Sequence, residues 1–363
     1  MFLMKRRRAL IGFLIAAITV MMPAAALGAD AGGVDATGLT LDKAVDMALV
    51  HSPELRQSDY DIESKQKSLE DAEDNLNAFT PAADGNQVDS VANSYVSMIQ
   101  KSISLEIAKK SRSTKADAVV KSVFQAYTDV LTAQDSVAIA EKELAYADYQ
   151  RLAARVGYQV GKVSLTDKNT AEANYTKKEA ALNESRTNLA ESYQNFNDLI
   201  GINLKDRPVL TDNPVFEPLK VADLDTEVLH RLEENPNLWQ ADKNVESAKM
   251  NFNMTNSDWD TNRINVQKAE LTAYEDKEQA KQTVYNIYNT ICQQEEQYKT
   301  LEQSLKQAED SLKVAQLKYE LGMIPRGDVL SAELSTANAQ KALRTAAYQH
   351  ELTKITFEKP WLS

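Results

Sequence analysis

From Ala133 to Tyr158 the apolar positions Ala133, Val137, Ala140, Leu144, Ala147, Ala154 and Tyr158 return mostly at alternating spacings of four and three. Leu301, Leu305, Ala308, Leu312, Ala315 and Tyr319 keep the same rhythm in the last third of the chain. Such spacing holds one narrow apolar stripe against a partner helix, so both segments are predicted to be coiled-coil helices. Each stripe stops at a glycine, Gly161 or Gly322, and a new one opens near Asp167 or Asp328. The new stripes run through Ala171, Tyr175, Leu182, Leu189 and Phe196, and through Ala332, Ala339, Leu343 and Ala346. Glycine just past a last helical turn supplies the left-handed conformation that ends a helix, and an aspartate in a first turn favours the helix dipole. Each half therefore predicts a long antiparallel helical hairpin with its tip near 161 or 322. A helix unbroken from about Val88 to Val160 would be on the order of 110 Å long, far beyond a globular core helix.

The whole pattern is written twice. Leu41, Val45, Leu49, Pro53 and Leu55 recur at one constant offset as Leu224, Val228, Leu232, Pro236 and Leu238. Val123, Tyr127, Tyr158, Gly161, Asp167 and Phe196 recur at a second, shorter offset as Val284, Tyr288, Tyr319, Gly322, Asp328 and Phe357. The first copy is therefore the longer, and its extra residues fall between Ser64 and Val123. A long period with helical patterning in each copy marks one supersecondary unit duplicated inside the chain. Each copy opens with a short helix and a proline break. Thr40 is placed to cap a helix from Leu41 to about His51, and Ser52 with Pro53 opens the next, as Asn235 with Pro236 does in the second copy. Pro208, Pro214 and Pro218 mark an extended connector between them. The organisation expected is an all-α fold of duplicated long hairpins, with a first repeat over 39–201, a linker over 202–223 and a second repeat over 224–363.

Residues 1–29 read differently. Lys5, Arg6, Arg7 and Arg8 precede an apolar run from Ala9 to Met22, then Pro23 and small residues up to Ala29. This is the pattern of a secretory signal peptide cleaved near Ala26 to Ala29, and no cysteine lies there to carry a bacterial lipid anchor. A formal charge of −12 and a pI near 5.0 argue against nucleic acid or anionic lipid as the main partner. The only cysteine, Cys292, forms no intrachain disulfide and shares a helix face with Tyr285 and Tyr288. His51, His230 and His350 lie far apart, and the chain has no HExxH or paired CxxC spacing, phosphate loop or nucleophile elbow. No metal, cofactor or enzymatic activity is expected.

The opening Leu39-Thr-Leu-Asp-Lys-Ala-Val-Asp-Met-Ala-Leu, the later Ser52-Pro53-Glu54-Leu55, and Tyr158-x-x-Gly161 with Asp167 and Tyr319-x-x-Gly322 with Asp328 resemble the TolC-like outer-membrane efflux family. The resemblance runs from about Leu39 to Phe357, and the duplication belongs to it. It implies a homotrimer in the cell envelope whose six hairpins form a hollow periplasmic tunnel serving efflux or export. It also implies that the tips, at Val160, Gly161, Leu321 and Gly322, dock a periplasmic adaptor protein joined to an inner-membrane transporter. Tyr158, Asp167, Tyr319 and Asp328 match positions where the family narrows the tunnel, although a tyrosine ending a seam and an aspartate capping a helix explain them locally. Family members add two β-hairpins per subunit to a membrane barrel. Here the matching windows, Ala78 to Ser90 and about Asn251 to Arg263, are too short for two strands of about 9 to 11 residues each. A body without barrel strands is therefore expected, with Phe79 to Gly85 as a loop. The alternative role is that of a non-transporting envelope spacer or interaction protein.

Overall fold

The computed structural model describes residues 38–77, 86–254 and 259–363. Among the described residues eight α-helices form two matched sets of four: α1 (Leu41–His51), α2 (Pro53–Asn77), α3 (Asn86–Gln159) and α4 (Leu165–Ile200), then α5 (Leu224–Glu234), α6 (Pro236–Met254), α7 (Trp259–Glu320) and α8 (Arg326–Glu358). A single 3-10 turn, Pro360–Leu362, follows. The caps are those the sequence spells. Thr40 accepts from the Lys43 amide, Ser52 Oγ from that of Leu55, and Asn235 Oδ1 from those of Asn237 and Leu238. Each cap satisfies amides that a helix start leaves without partners. At 74 residues, α3 is about 111 Å long.

The seams pack as expected along most of their length. Ala140, Ala147 and Leu182 are buried between α3 and α4. Lys178 pairs with Glu143 at 2.8 Å and Arg186 with Glu141 at 3.1 Å across the same hairpin. The extra length of the first repeat is spread over α2, with 25 residues against 19 in α6, over α3, with 74 against 62 in α7, and over the connection between α2 and α3. Among the described residues there is no β-strand; the one extended pairing is the parallel bridge between Leu39 and Leu210. Residues 86–90 already belong to α3, 251–254 to α6 and 259–263 to α7. What is left of the two barrel windows, 78–85 and 255–258, lies outside the described residues, as does the loop expected at Phe79 to Gly85. Each remnant is shorter than one membrane strand of about 9 residues. No described helix is long and apolar enough to cross a membrane.

Two cores sit where the short helices meet the hairpins. In the first, Ala44 and Ala48 of α1 pack with Val123, Tyr127 and Val130 of α3 and with Phe196 and Ile200 of α4. The second unites Val228 and Leu232 of α5 with Val284 and Ile291 of α7 and Phe357 of α8. The linker is stitched onto the first core. Leu39 donates to Val209 O at 2.7 Å and accepts from the Thr211 amide at 3.2 Å. The fully buried Tyr127 hydroxyl donates to Leu39 O at 3.2 Å and accepts from the Asp212 amide at 2.9 Å. Tyr127→Phe keeps the ring and strands that amide, so it is expected to cost about 1–2 kcal/mol in urea unfolding of the whole chain. A change within about 0.3 kcal/mol would show that the hydroxyl does not hold the linker.

Candidate functional site at the hairpin tips

Both hairpins turn by the same backbone chemistry. Gly161 has φ +72° and Gly322 φ +68°, the left-handed region that only glycine enters without strain. At the first tip the Gly161 amide bonds Tyr158 O at 3.0 Å and the Lys162 amide bonds Gly157 O at 2.8 Å. At the second, Gly322 bonds Tyr319 O at 2.9 Å and Met323 bonds Lys318 O at 2.8 Å. This is the Schellman termination, which gives the last helical carbonyls their donors. A Cβ on either glycine would meet nothing within 4 Å, so both tips face open space.

The returning helices open differently. Ser164 caps α4, accepting from the Asp167 amide at 3.1 Å and donating to Asp167 Oδ2 at 2.8 Å. Pro325 occupies the same position before α8 and offers no side-chain bond, so Asp328 lacks that partner. Asp167 and Asp328 each lie in the first turn of their helix, as the dipole favours. Tyr158 and Tyr319 are exposed and do not close their seams. The Lys168 ammonium lies 5.6 Å from the Tyr158 ring centroid. The local explanation of the aspartates therefore fits Asp167, whereas the seam explanation of the tyrosines does not hold.

Both tips bare apolar side chains among their polar ones. Val160 is 61% and Leu321 74% exposed, and one turn earlier Val156 and Leu317 are bared as well. Met323, at 68%, adds to the second tip only; Lys162 stands in its place at the first. Val156 and Leu317 were not singled out by the sequence pattern, although their matching places in the two copies and their spacing of four from Val160 and Leu321 carry the signal.

The two hairpins are joined side by side through α3 and α8. Lys341 donates to Ser136 Oγ at 2.7 Å, and Arg344 pairs with Asp135 at 3.0 Å. Burial pushes the Asp135 carboxyl above its ordinary range, against the pull of both cations. Nearer the tips Gly327 is buried against Tyr149; a Cβ there would lie 2.5 Å from the ring. The first-repeat counterpart of Gly327 is Thr166, so this close approach belongs to one side of the molecule. The register has a consequence for height. Tyr149 precedes Gly161 by twelve positions while Gly327 follows Gly322 by only five, and the contact of Ser136 with Lys341 repeats the inequality farther from the tips. At about 1.5 Å per residue the first tip projects roughly 10 Å beyond the second. No cluster of described residues could hold a metal ion.

A family model for the outer membrane efflux protein matches residues 89–202 and 250–359, the two long hairpins. Similar solved structures include the outer membrane protein VceC of Vibrio cholerae, at 14% identity, with 89% of this chain and 95% of that one covered and a TM-score of 0.63. The CmeC outer membrane channel of Campylobacter jejuni aligns at 13% identity over 94% of this chain and 93% of its own, with a TM-score of 0.62. A membrane protein of Pseudomonas aeruginosa aligns at 16% identity over 95% and 96%, with a TM-score of 0.61. At such identities these likenesses establish the fold. A search of curated protein sequences finds no match.

Proposed function

This chain belongs to the outer membrane efflux protein family, and from that premise we propose that three copies assemble into a helical export conduit of the cell envelope. Cargo reaches it from an inner-membrane transporter through a periplasmic adaptor docked on the tips. The family is one of channels, not enzymes, and the proposed role requires no cofactor. The observation that carries the proposal is the matched pair of bare apolar tips, Val156 with Val160 and Leu317 with Leu321, each at the far end of a long solvated hairpin. An apolar surface at such a place has a use only if something covers it. Tyr158, Asp167, Tyr319 and Asp328 lie beside these tips and are assigned to the narrow end of the conduit.

Assembly is supported by what each hairpin leaves uncovered. Helix α8 packs against both α7 and α3, whereas α4 meets α3 and α1, and α7 meets α8 with the short α5 and α6. One flank of α4 and one of α7 therefore stay open. Ile264, Leu271 and Tyr274 are exposed on α7. Joining unlike flanks head to tail closes a ring when the rotation fits. Negative-stain electron microscopy of the mature chain, residues 30–363, without detergent is expected to show open three-fold rings end-on. Solid rods or monomers would overturn the conduit. The role would then pass to a non-transporting envelope spacer, which the absence of strands among the described residues favours.

A further inference from the structure

The second hairpin contains a buried histidine that the conduit does not use. His350 on α8 is fully buried beneath the linker. Phe216 of the linker stacks on Tyr298 of α7, with ring centroids 3.8 Å apart and planes at 6°, and covers the His350 ring at 4.6 Å. Glu295 of α7 serves both: its Oε1 accepts the Leu219 amide at 2.7 Å and lies 3.4 Å from His350 Nε2. Two further ties hold the same stretch of linker. Lys354 donates to Glu217 O at 3.3 Å, and the Tyr348 hydroxyl lies 2.6 Å from Asn213 Oδ1. Residues 213–219 are thus held on the second hairpin, with Phe216 to Leu219 over this one imidazole, whose Nδ1 is buried with no hydrogen-bond partner.

A neutral imidazole has one donor and one acceptor, and facing Glu295 the proton belongs on Nε2. A second proton would turn Nδ1 into a charged donor with nothing to receive it, in a site closed to solvent. The groups facing the ring are Glu295 and Tyr298 from α7, Glu351 and Lys354 from α8, and the Phe216–Leu219 stretch of the linker. Burial holds the imidazole below its ordinary range; Glu295 and Glu351 pull the other way, and Lys354 adds to the depression. A released segment lets His350 take a proton at its ordinary pKa of about 6.5. The clamped form therefore keeps its full advantage above that pH and loses it as the pH falls below, down to the depressed value of the closed site.

We propose that His350 is a proton-operated latch: the neutral ring clamps residues 213–219 on α7 and α8, and taking up a proton frees them. The first part of the linker stays stitched to the first hairpin at Leu39 and Tyr127, so acid unties the connector from one hairpin only.

The test is hydrogen exchange with mass spectrometry on the full mature chain at about pH 7.5 and 5.5, expressed as protection factors corrected for intrinsic rate. Protection over 213–220 is expected to fall about tenfold in acid, while that over 209–212 is unchanged. His350→Phe, which cannot titrate, is expected to show equal protection at both pH values. Should that variant fail to fold, Glu295→Gln keeps the acceptor for Leu219 and removes the charge that favours the cation in the closed site, so the acid loss of protection is expected to be larger and to continue to lower pH. Wild-type protection that stays constant or rises in acid overturns the latch, as does the same acid loss in His350→Phe or an acid loss that Glu295→Gln makes smaller.

Discussion

Replacing Gly161 and Gly322 together by valine is expected to reduce export to the level of a strain lacking the protein, with helicity unchanged by circular dichroism. The two effects separate because of where the glycines sit. Neither has an atom within 4 Å of its would-be Cβ, so the substitution meets no steric conflict with the body of the fold. The cost is confined to φ near +70°, which a β-branched residue adopts only under strain of about 1–2 kcal/mol per site. Strain at a free end is relieved locally: the Schellman bonds to Gly157 O and Lys318 O give way. Val160 and Leu321 then no longer stand at fixed positions on the end of their helices. A rigid partner reading two staggered apolar tips cannot follow, whereas the cores near Tyr127 and Phe357 are untouched. Gly161→Asn with Gly322→Asn is the matching control, because asparagine enters the left-handed region far more readily than valine. Near-normal export with asparagine and none with valine identifies the backbone turn as the requirement. Unchanged export in the valine pair would remove the tips from the docking surface, whatever the fate of the ring.

The parts of this molecule that the sequence states plainly are those decided within a few residues. The seams from Ala133 to Ala154 and from Leu301 to Ala315, the glycine turns and the Thr40, Ser52 and Asn235 caps depend on periodicity and local backbone chemistry, and the duplication states each twice. The parts that stay silent are choices of distant partner. Nothing near Tyr127 announces that its hydroxyl would bridge Leu39 and Asp212, the latter 85 residues away along the chain. Gly327 looks like one more residue of a tip until the register of α3 and α8 puts Tyr149 on it. His350 carries no motif, and only the linker folding back over α7 and α8 makes it a buried group. Tyr158 and Tyr319 show a different limit: periodicity continues their seams to the last residue, but at the open end of each hairpin both rings stay exposed.

Gly201→Ala is expected to be the most damaging single alanine substitution among these glycines, at about 3 kcal/mol of stability, and the contrast with the tips shows why. Gly201 ends α4 by the same left-handed turn, with φ +76° and with the Ile202 amide bonded to Asn197 O at 3.0 Å. Here, however, the space is taken. A Cβ would lie 2.4 Å from Cγ and Nδ1 of His51 and 2.9 Å from its Cβ. Those atoms are close to the α1 backbone, so a rotamer change relieves little and the end of α1 must lift from α4. That movement loosens Ala48 in the first core and strains the buried Asn197, whose amide bonds the carbonyls of Asn203 and Asp206 at 3.0 and 2.9 Å. Left-handed strain of about 1 kcal/mol remains in any background, while most of the clash, about 2 kcal/mol more, comes from the His51 ring that alanine removes. The double variant His51→Ala, Gly201→Ala is therefore expected to recover most of the loss, and a double-mutant cycle by urea titration reads the coupling directly. Additive effects would mean that His51 is not the obstacle and that α1 reaches α4 by another contact.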